Sequence, residues 1–383
     1  MKNIKVLHLI TWLNPGGIET WLLNMLQAIP RAQCAMDFCC KGPSVGSLAN
    51  KAKELNAAVY HCPLGAAHVG YLAGLHQIIQ EGQYNLIHNH LESYSWLGVY
   101  AAHQAGIPVI TSFHNTRFDP QTWTRWPFVR SLRAAYSGRS IRYALRRSEL
   151  ITGCSQGVIN SLDAYGVGFQ PKARVLYYGV PITEHPSQQD REAFRLSLGL
   201  PLTTPLVLHV GNFRPQKNHE GLLRVFQQVV AVVPKARLLL VGDGPSRSHI
   251  ERLIQELGLS ESVIMLGFRY DVRHIMDCCD VFLFPSIYEG LPVSVLEAQS
   301  AGMPVVASRL PELAEAIQDG QTGYLYAVDD LNEMAQSVIA FLRDFALRCQ
   351  FGSAGRQRTL NVFSLEQSSQ LLMKAYYESI SIR

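Results

Sequence analysis

The sequence predicts an α/β protein with two parallel β-sheets, each covered by crossover helices. Three observations lead there. Short apolar runs alternate with longer mixed stretches along most of the chain, which is the pattern of βαβ units. That alternation breaks once, at the Pro-flanked polar segment Val180–Ser187, which reads as a linker. The length, 383 residues, suits two or three domains that each bury a core without staples. Two Rossmann-like domains follow, spanning 1–182 and 183–364, with a last helical segment beyond.

The elements can be placed in order. Ile4–Ile10 is a compact apolar run of strand length, and Gly16-Gly17 after it gives the backbone freedom to turn and to approach a ligand. A helix is expected over Glu19–Ala28. Further strands are expected at Met36–Cys40, Val59–Pro63, Leu86–His90, Val109–His114, Leu150–Cys154 and Ala173–Tyr178. The second half repeats the style at Leu206–Val210, Arg237–Gly242, Val263–Gly267, Val281–Phe284, Pro304–Ala307 and Tyr324–Ala327. Between Val281–Phe284 and Pro304–Ala307, Pro292 or Val293 starts a helix, since Pro suits the first helical position. Ser364 is placed to cap a final helix, Leu365–Ser379.

Composition narrows the function classes. Apolar residues make up 48% of the chain, and no apolar run reaches the ~18 residues of a membrane span. The start, MKNIKVLHLI, lacks the apolar core and cleavage site of a secretory signal. A cytoplasmic location is expected. The eight cysteines include the adjacent pairs Cys39-Cys40 and Cys278-Cys279 but no Cys-x-x-Cys, so neither a zinc spacing nor a disulfide framework is present. The net charge of +4 is too small to imply nucleic acid, but it is unevenly spread. Residues 1–190 carry 16 Lys and Arg against 10 Asp and Glu, whereas the remainder carries 18 against 20. Much of the surplus lies between Arg117 and Arg147, where eight Arg are interleaved with Trp123, Trp126, Phe128, Tyr136 and Tyr143, and only Asp119 is acidic. Such a segment suits an anionic membrane surface or a pyrophosphate-linked lipid, at ~1 kcal/mol for each basic residue near the surface. A solvated basic helix face would read the same way.

The most informative stretch is Pro285–Pro304, PSIYEGLPVSVLEAQSAGMP. A buried strand leads into a loop with Glu289, then Gly290-Leu291-Pro292, then a helix start with Ser294, and a second acid, Glu297, on that helix. Strand, loop and helix N-terminus together bind phosphate in open α/β sheets. The two acids flank that anion site, so a ligand with polar ends on either side of a diphosphate fits, and a nucleotide-sugar is one. In the other phosphate motifs the chain falls short. Val241-Gly242-Asp243-Gly244-Pro245 has Arg247 where a dinucleotide fingerprint needs glycine, and no P-loop sequence occurs.

The composite of Glu289-Gly290-Leu291-Pro292, Leu296-Glu297-Ala298 and Ala301-Gly302-Met303-Pro304 resembles the signature of the retaining family-4 glycosyltransferases, which have the GT-B fold. That fold places two Rossmann-like domains with their sheets facing across a cleft, and its final helix returns to the first domain. The resemblance implies transfer of a sugar from a UDP- or GDP-linked donor to a hydroxyl acceptor, with Glu289 at the donor sugar and Glu297 at the ribose. It implies that Lys217 in Gly211-Asn212-Phe213-Arg214-Pro215-Gln216-Lys217 stabilises the leaving diphosphate. Asn212 stands where relatives carry Arg, so Arg214 is read as its substitute. Gly16 and Gly17 lie where relatives approach the donor phosphates, and His114, at a strand end, is where they face the donor sugar. Gly267-Phe268-Arg269-Tyr270 is where they seat the base, which makes Arg269 a donor-side candidate. His88-Asn89-His90 reads as an acceptor-side wall. Two basic groups and a helix dipole can replace a metal ion, and no Asp-x-Asp occurs, so neither a divalent metal nor another cofactor is expected. Partners are then the donor and a lipid-linked or glycan acceptor at the inner membrane face, in polysaccharide or glycolipid synthesis. An epimerase, a phosphorylase or a non-catalytic sugar-nucleotide binder on the same fold would share these residues.

Overall fold

The computed structural model describes residues 4–65, 68–118, 127–182 and 187–382. The chain divides into two compact units, Met1–Gly179 with Leu365–Arg383, and Val180–Ser364. The linker residues Thr183–Pro186 lie outside the described residues, as do Asp119, Trp123, Arg125 and Trp126 of the basic aromatic segment.

The first unit holds β1 (Ile4–Ile10), β2 (Cys34–Cys40), β3 (Val59–His61), β4 (Leu86–Asn89), β5 (Val109–Phe113), β6 (Leu150–Gly153) and β7 (Ala173–Val175). They form one parallel sheet in the order β3-β2-β1-β4-β5-β6-β7. The second unit holds β8 (Leu206–Val210), β9 (Arg237–Val241), β10 (Val263–Gly267), β11 (Val281–Phe284), β12 (Val305–Ser308) and β13 (Gly323–Tyr326). Their parallel order is β10-β9-β8-β11-β12-β13. In each sheet the winding direction reverses at one place, between β1 and β4 and between β8 and β11. Open α/β sheets bind ligands in the crevice beyond the strands' carboxyl ends at that switch point. Gly16-Gly17 follows β1 and His90 follows β4. Gly211–Asn218 follows β8 and Pro285–Pro292 follows β11.

Several boundaries differ from the sequence expectation, each for a local reason. The first helix runs Gly17–Ala28, with Gly16 extended at its N-cap, so Gly17 belongs to the helix. Of the two helix starts expected, Pro292 and Val293, the structure takes Val293, with Pro292 as the N-cap. Pro304 precedes β12 because it has no N–H for the ladder, although its carbonyl still accepts from Phe282 N at 3.0 Å. The last helix extends to Ser381. It packs within the first unit: Trp21 Nε1 donates to Ser368 Oγ at 2.8 Å, and Ser368 Oγ donates to the Tyr177 carbonyl at 2.8 Å. Central strands are apolar on both faces, as sheets covered on both sides require, and Leu7, Ile87, Leu238 and Leu283 are all fully buried.

Candidate functional site

In the second unit, two loops at the β8/β11 switch point are strapped together. Gln216 Nε2 donates to the Tyr288 carbonyl at 2.8 Å, Ile287 N to the Gln216 carbonyl at 2.9 Å, and Asn218 Nδ2 to the Pro285 carbonyl at 3.0 Å. Asn218 takes a left-handed conformation (φ 52°, ψ 50°) and caps helix His219–Val232 through its side-chain oxygen, a backbone position Asn tolerates better than most residues. These straps bring Lys217 to Glu289, with Nζ 2.6 Å from Oε1 and both side chains largely buried. Lys217 Nζ also lies 4.6 Å from the Phe284 ring centre. A third loop closes on this pair. Gly242 sits at φ 136°, and a Cβ there would meet the Gly211 carbonyl oxygen at 2.0 Å, so only glycine lets the β9 exit pack against the β8 exit.

Just beyond Glu289, helix Val293–Ser300 starts at Pro292 with no side-chain cap, leaving first-turn N–H groups available to an anion. Gly290, Leu291 and Pro292 are buried, and Ser294 is half-buried. Two buried polar atoms nearby, His209 Nε2 and Ser286 Oγ, make no hydrogen bond within the described protein. Glu297 is half-buried on the same helix, and burial pushes its carboxyl up to about 7 against the pull of Arg273. Arg214 is exposed at the start of the short turn Pro215–Lys217. Arg269 is exposed, and Asp271 engages its guanidinium, with Nε to Oδ1 at 2.8 Å and Nη2 to Oδ2 at 2.6 Å.

The first unit gathers a second set at the β1/β4 switch point. His114 Nδ1 lies 2.5 Å from Tyr178 Oη and His114 Nε2 lies 2.9 Å from His90 Nδ1. His90 Nε2 lies 3.0 Å from His8 Nδ1, and His8 Nε2 lies 3.2 Å from Tyr376 Oη. That hydroxyl also lies 3.0 Å from His88 Nδ1, while His88 Nε2 lies 2.6 Å from Ser112 Oγ. All four imidazoles are buried, and both nitrogens of His114 already have partners. A nitrogen of this ring would bond a sugar by exchanging Tyr178 or His90 for it. At the carboxyl edge, Glu92 adopts φ 46°, a strained position for a non-glycine residue, and its Oε1 accepts from His114 N–H at 3.1 Å. Burial pushes the half-buried carboxyls of Glu19 and Glu92 up to about 7 each. Lys41 is lowered by burial, with Glu92 pulling the other way, and its Nζ sits 4.5 Å from the Tyr94 ring centre. The sequence reading missed His8, Lys41, Glu92, Tyr178 and Tyr376. A histidine inside the apolar run VLHLI was the one available signal.

His8, His88 and His90 bring ring nitrogens within 4.8 Å of one another, close enough to ask whether they hold a metal. All six of their ring nitrogens already bond protein groups. The group contains no carboxylate to offset a dication in a dry interior. The geometry suits a hydrogen-bonded string. It also fixes a pH response. Burial lowers His8 and His114 to about 3, and lowers His88 and His90 well below the usual value. A folded-state value below the unfolded one gives stability that is present above the unfolded value of 6.5 and lost as pH falls toward 3. Each imidazole then costs about 1.4 kcal/mol per pH unit in that window. The raised Glu19 and Glu92 act oppositely, losing stability as pH rises through about 7, and they offset part of this slope. The melting temperature of the first unit therefore falls between pH 6.5 and pH 5, measured by circular dichroism. A flat profile would mean that the imidazoles are not held neutral.

Two family models match this chain. The model described as Glycosyltransferase Family 4 matches residues 15–184, and that described as Glycosyl transferases group 1 matches residues 190–358. A Bacillus anthracis protein named N-acetyl-alpha-D-glucosaminyl L-malate synthase is 26% identical over 305 residues, 79% of this chain and 77% of that one. An Escherichia coli protein named UDP-Gal:alpha-D-GlcNAc-diphosphoundecaprenol alpha-1,3-galactosyltransferase is 22% identical over 393 residues, 99% of this chain and 98% of that one. Among solved structures, Anabaena HepE in complex with UDP-glucose matches with a TM-score of 0.84 at 21% identity, covering 98% of this chain and 99% of that one. That likeness carries the fold, GT-B. With a family 4 domain followed by a group 1 domain, the chain belongs to the glycosyltransferases and is an enzyme of that class.

Proposed function

We propose that this enzyme transfers a sugar from a UDP- or GDP-linked donor, with retention of anomeric configuration, to a hydroxyl of a lipid-linked glycan. The observation that carries the reading is the Lys217–Glu289 pair, held at 2.6 Å beside an uncapped helix N-terminus. In sugar transfer, negative charge grows on the departing diphosphate while positive charge grows at the anomeric carbon. Lys217, Arg214 and the N–H groups at Val293 and Ser294 serve the first, and Glu289 serves the second. Fixed charges aimed where charge develops are the largest single contribution in most enzymes. Glu297 binds the ribose hydroxyls, and Gly211 leaves room for the phosphates. His114 bonds the donor sugar once one of its present partners lets go. With cationic groups and a helix dipole on the diphosphate, the reaction needs no divalent metal.

The UDP form of the donor is supported by the HepE complexes with UDP and UDP-glucose. A lipid-linked acceptor is supported by the name of the Escherichia coli relative and by helix Pro127–Arg147. Its first turns expose Phe128 by 74% and Leu132 by 56%, with Arg133 and Arg139 exposed on the same helix. Apolar side chains set among arginines suit an anionic membrane interface. No helix among the described residues is long and apolar enough to cross a membrane, so contact there would be peripheral. The test is calorimetric titration with UDP-, GDP- and ADP-sugars in EDTA. Binding of one UDP- or GDP-sugar that Lys217→Ala weakens supports the reading. Binding of none, or binding that requires added metal, would count against it.

A further inference from the structure

The string of histidines constrains itself. A neutral imidazole carries one N–H and one bare nitrogen. Where two such rings meet nitrogen to nitrogen, one donates and the other accepts, so each ring hands the direction of one bond to the next. His114, His90 and His8 meet this way twice, at 2.9 and 3.0 Å. Two settings satisfy every contact. Either all three rings carry the proton on Nε2, or all three carry it on Nδ1. A mixed set would face two donors, or two lone pairs, across a buried gap, where an unmade hydrogen bond leaves the desolvation cost of the group uncompensated. The setting is chosen at the ends of the string, and both ends are phenols: Tyr178 beside His114 and Tyr376 beside His8. Tyr376 stands on the last helix, separated from His8 by 368 positions in sequence.

We propose that Tyr376 is a positioning residue which, through His8 and His90, sets the nitrogen of His114 that carries the proton. The buried hydroxyl of Tyr376 has one proton and two imidazole neighbours, His8 and His88. If it donates to His88, it must accept from His8, and the string is set to Nε2–H throughout. If it donates to His8, the string is set to Nδ1–H. The consequence for catalysis rests on the reading of His114 as a sugar ligand, because the tautomer decides whether Nδ1, once released by Tyr178, donates or accepts. The relay itself does not depend on that reading.

Removing either phenol forces the setting. Orphaned buried N–H groups are rarer than orphaned acceptors, so the ring that loses its partner turns a bare nitrogen toward the gap. Tyr376→Phe therefore moves the His8 proton to Nδ1, and His90 and His114 follow. Tyr178→Phe leaves His114 Nδ1 bare and places the proton on Nε2. The experiment is ring nitrogen-15 NMR of the full-length protein at pH 7, with the His114 signals assigned by their loss in His114→Asn. The expected result is one tautomer shared by His8, His90 and His114 in the natural protein, with His114 as Nδ1–H in Tyr376→Phe and as Nε2–H in Tyr178→Phe. Should Tyr376→Phe not fold, His8→Leu cuts the string one ring later and must also give Nδ1–H at His114. The same His114 tautomer in both directions of substitution, or a mixed set in the natural protein, overturns the proposal. Turnover is followed in the same variants. A switched tautomer with unchanged turnover upholds the relay and removes His114 from the sugar site.

Discussion

Glu289→Gln lowers turnover by about 10²–10³-fold while nucleotide affinity stays within a few-fold. The carboxylate is buried in the loop after β11, with Oε1 against Lys217 Nζ. Glutamine keeps its shape and can turn its carbonyl oxygen to Lys217, so the substitution removes charge and little geometry. If the carboxylate acts on positive charge that exists only in the transition state, its loss appears in kcat and not in binding. Turnover is read from released nucleoside diphosphate and affinity from calorimetry. A fall in affinity matching the fall in turnover would make Glu289 a binding residue and no more.

Lys217→Ala produces an effect of similar size, about 10²–10³-fold in kcat/KM, by removing a fixed cation from the leaving group. It differs in its cost to the fold. Glu289 then stays buried without the Lys217 cation, and breaking a buried pair from one side costs roughly 3–5 kcal/mol. The double variant Lys217→Ala, Glu289→Gln relieves that burden. It is therefore more stable than Lys217→Ala alone, yet no more active than the weaker single variant, because residues acting as one unit are not additive. Denaturant unfolding and the turnover assay measure both halves. Stabilities that simply add would mean that the 2.6 Å contact contributes nothing in solution.

What the sequence made legible follows physical lines. Central strands such as Ile4–Ile10, Leu206–Val210 and Val281–Phe284 were readable to the residue, because burial on both faces leaves an uninterrupted apolar run. Edge strands were readable less evenly: Val263–Gly267 matched, but others ran short. The strand expected over Ala173–Tyr178 ends at Val175, and that over Val59–Pro63 ends at His61, since the last strands of a sheet have a neighbour on one side only. In the site, Glu289 and Lys217 were legible through motif spacing, but their contact spans 72 positions and left no mark on either segment. Arg269 was legible as a donor-side candidate, but its pairing with Asp271 two positions later was not. The histidine string was hidden for the same reason as the Lys217 contact. His8, His88, His114 and Tyr376 come from three strand ends or interiors and the last helix, and only the fold makes them neighbours.

The central claim is that the Lys217–Glu289 site transfers a sugar without metal. It is tested most directly by incubating the natural protein and Glu289→Gln with UDP- and GDP-sugars in excess EDTA, with a lipid-linked glycan acceptor, and quantifying released nucleoside diphosphate and the anomeric configuration of the product. Release from one donor in EDTA is expected, with a product of retained configuration and a loss of about 10²–10³-fold in the variant. Equal release by the variant, an inverted product, or release only after metal is restored would contradict it.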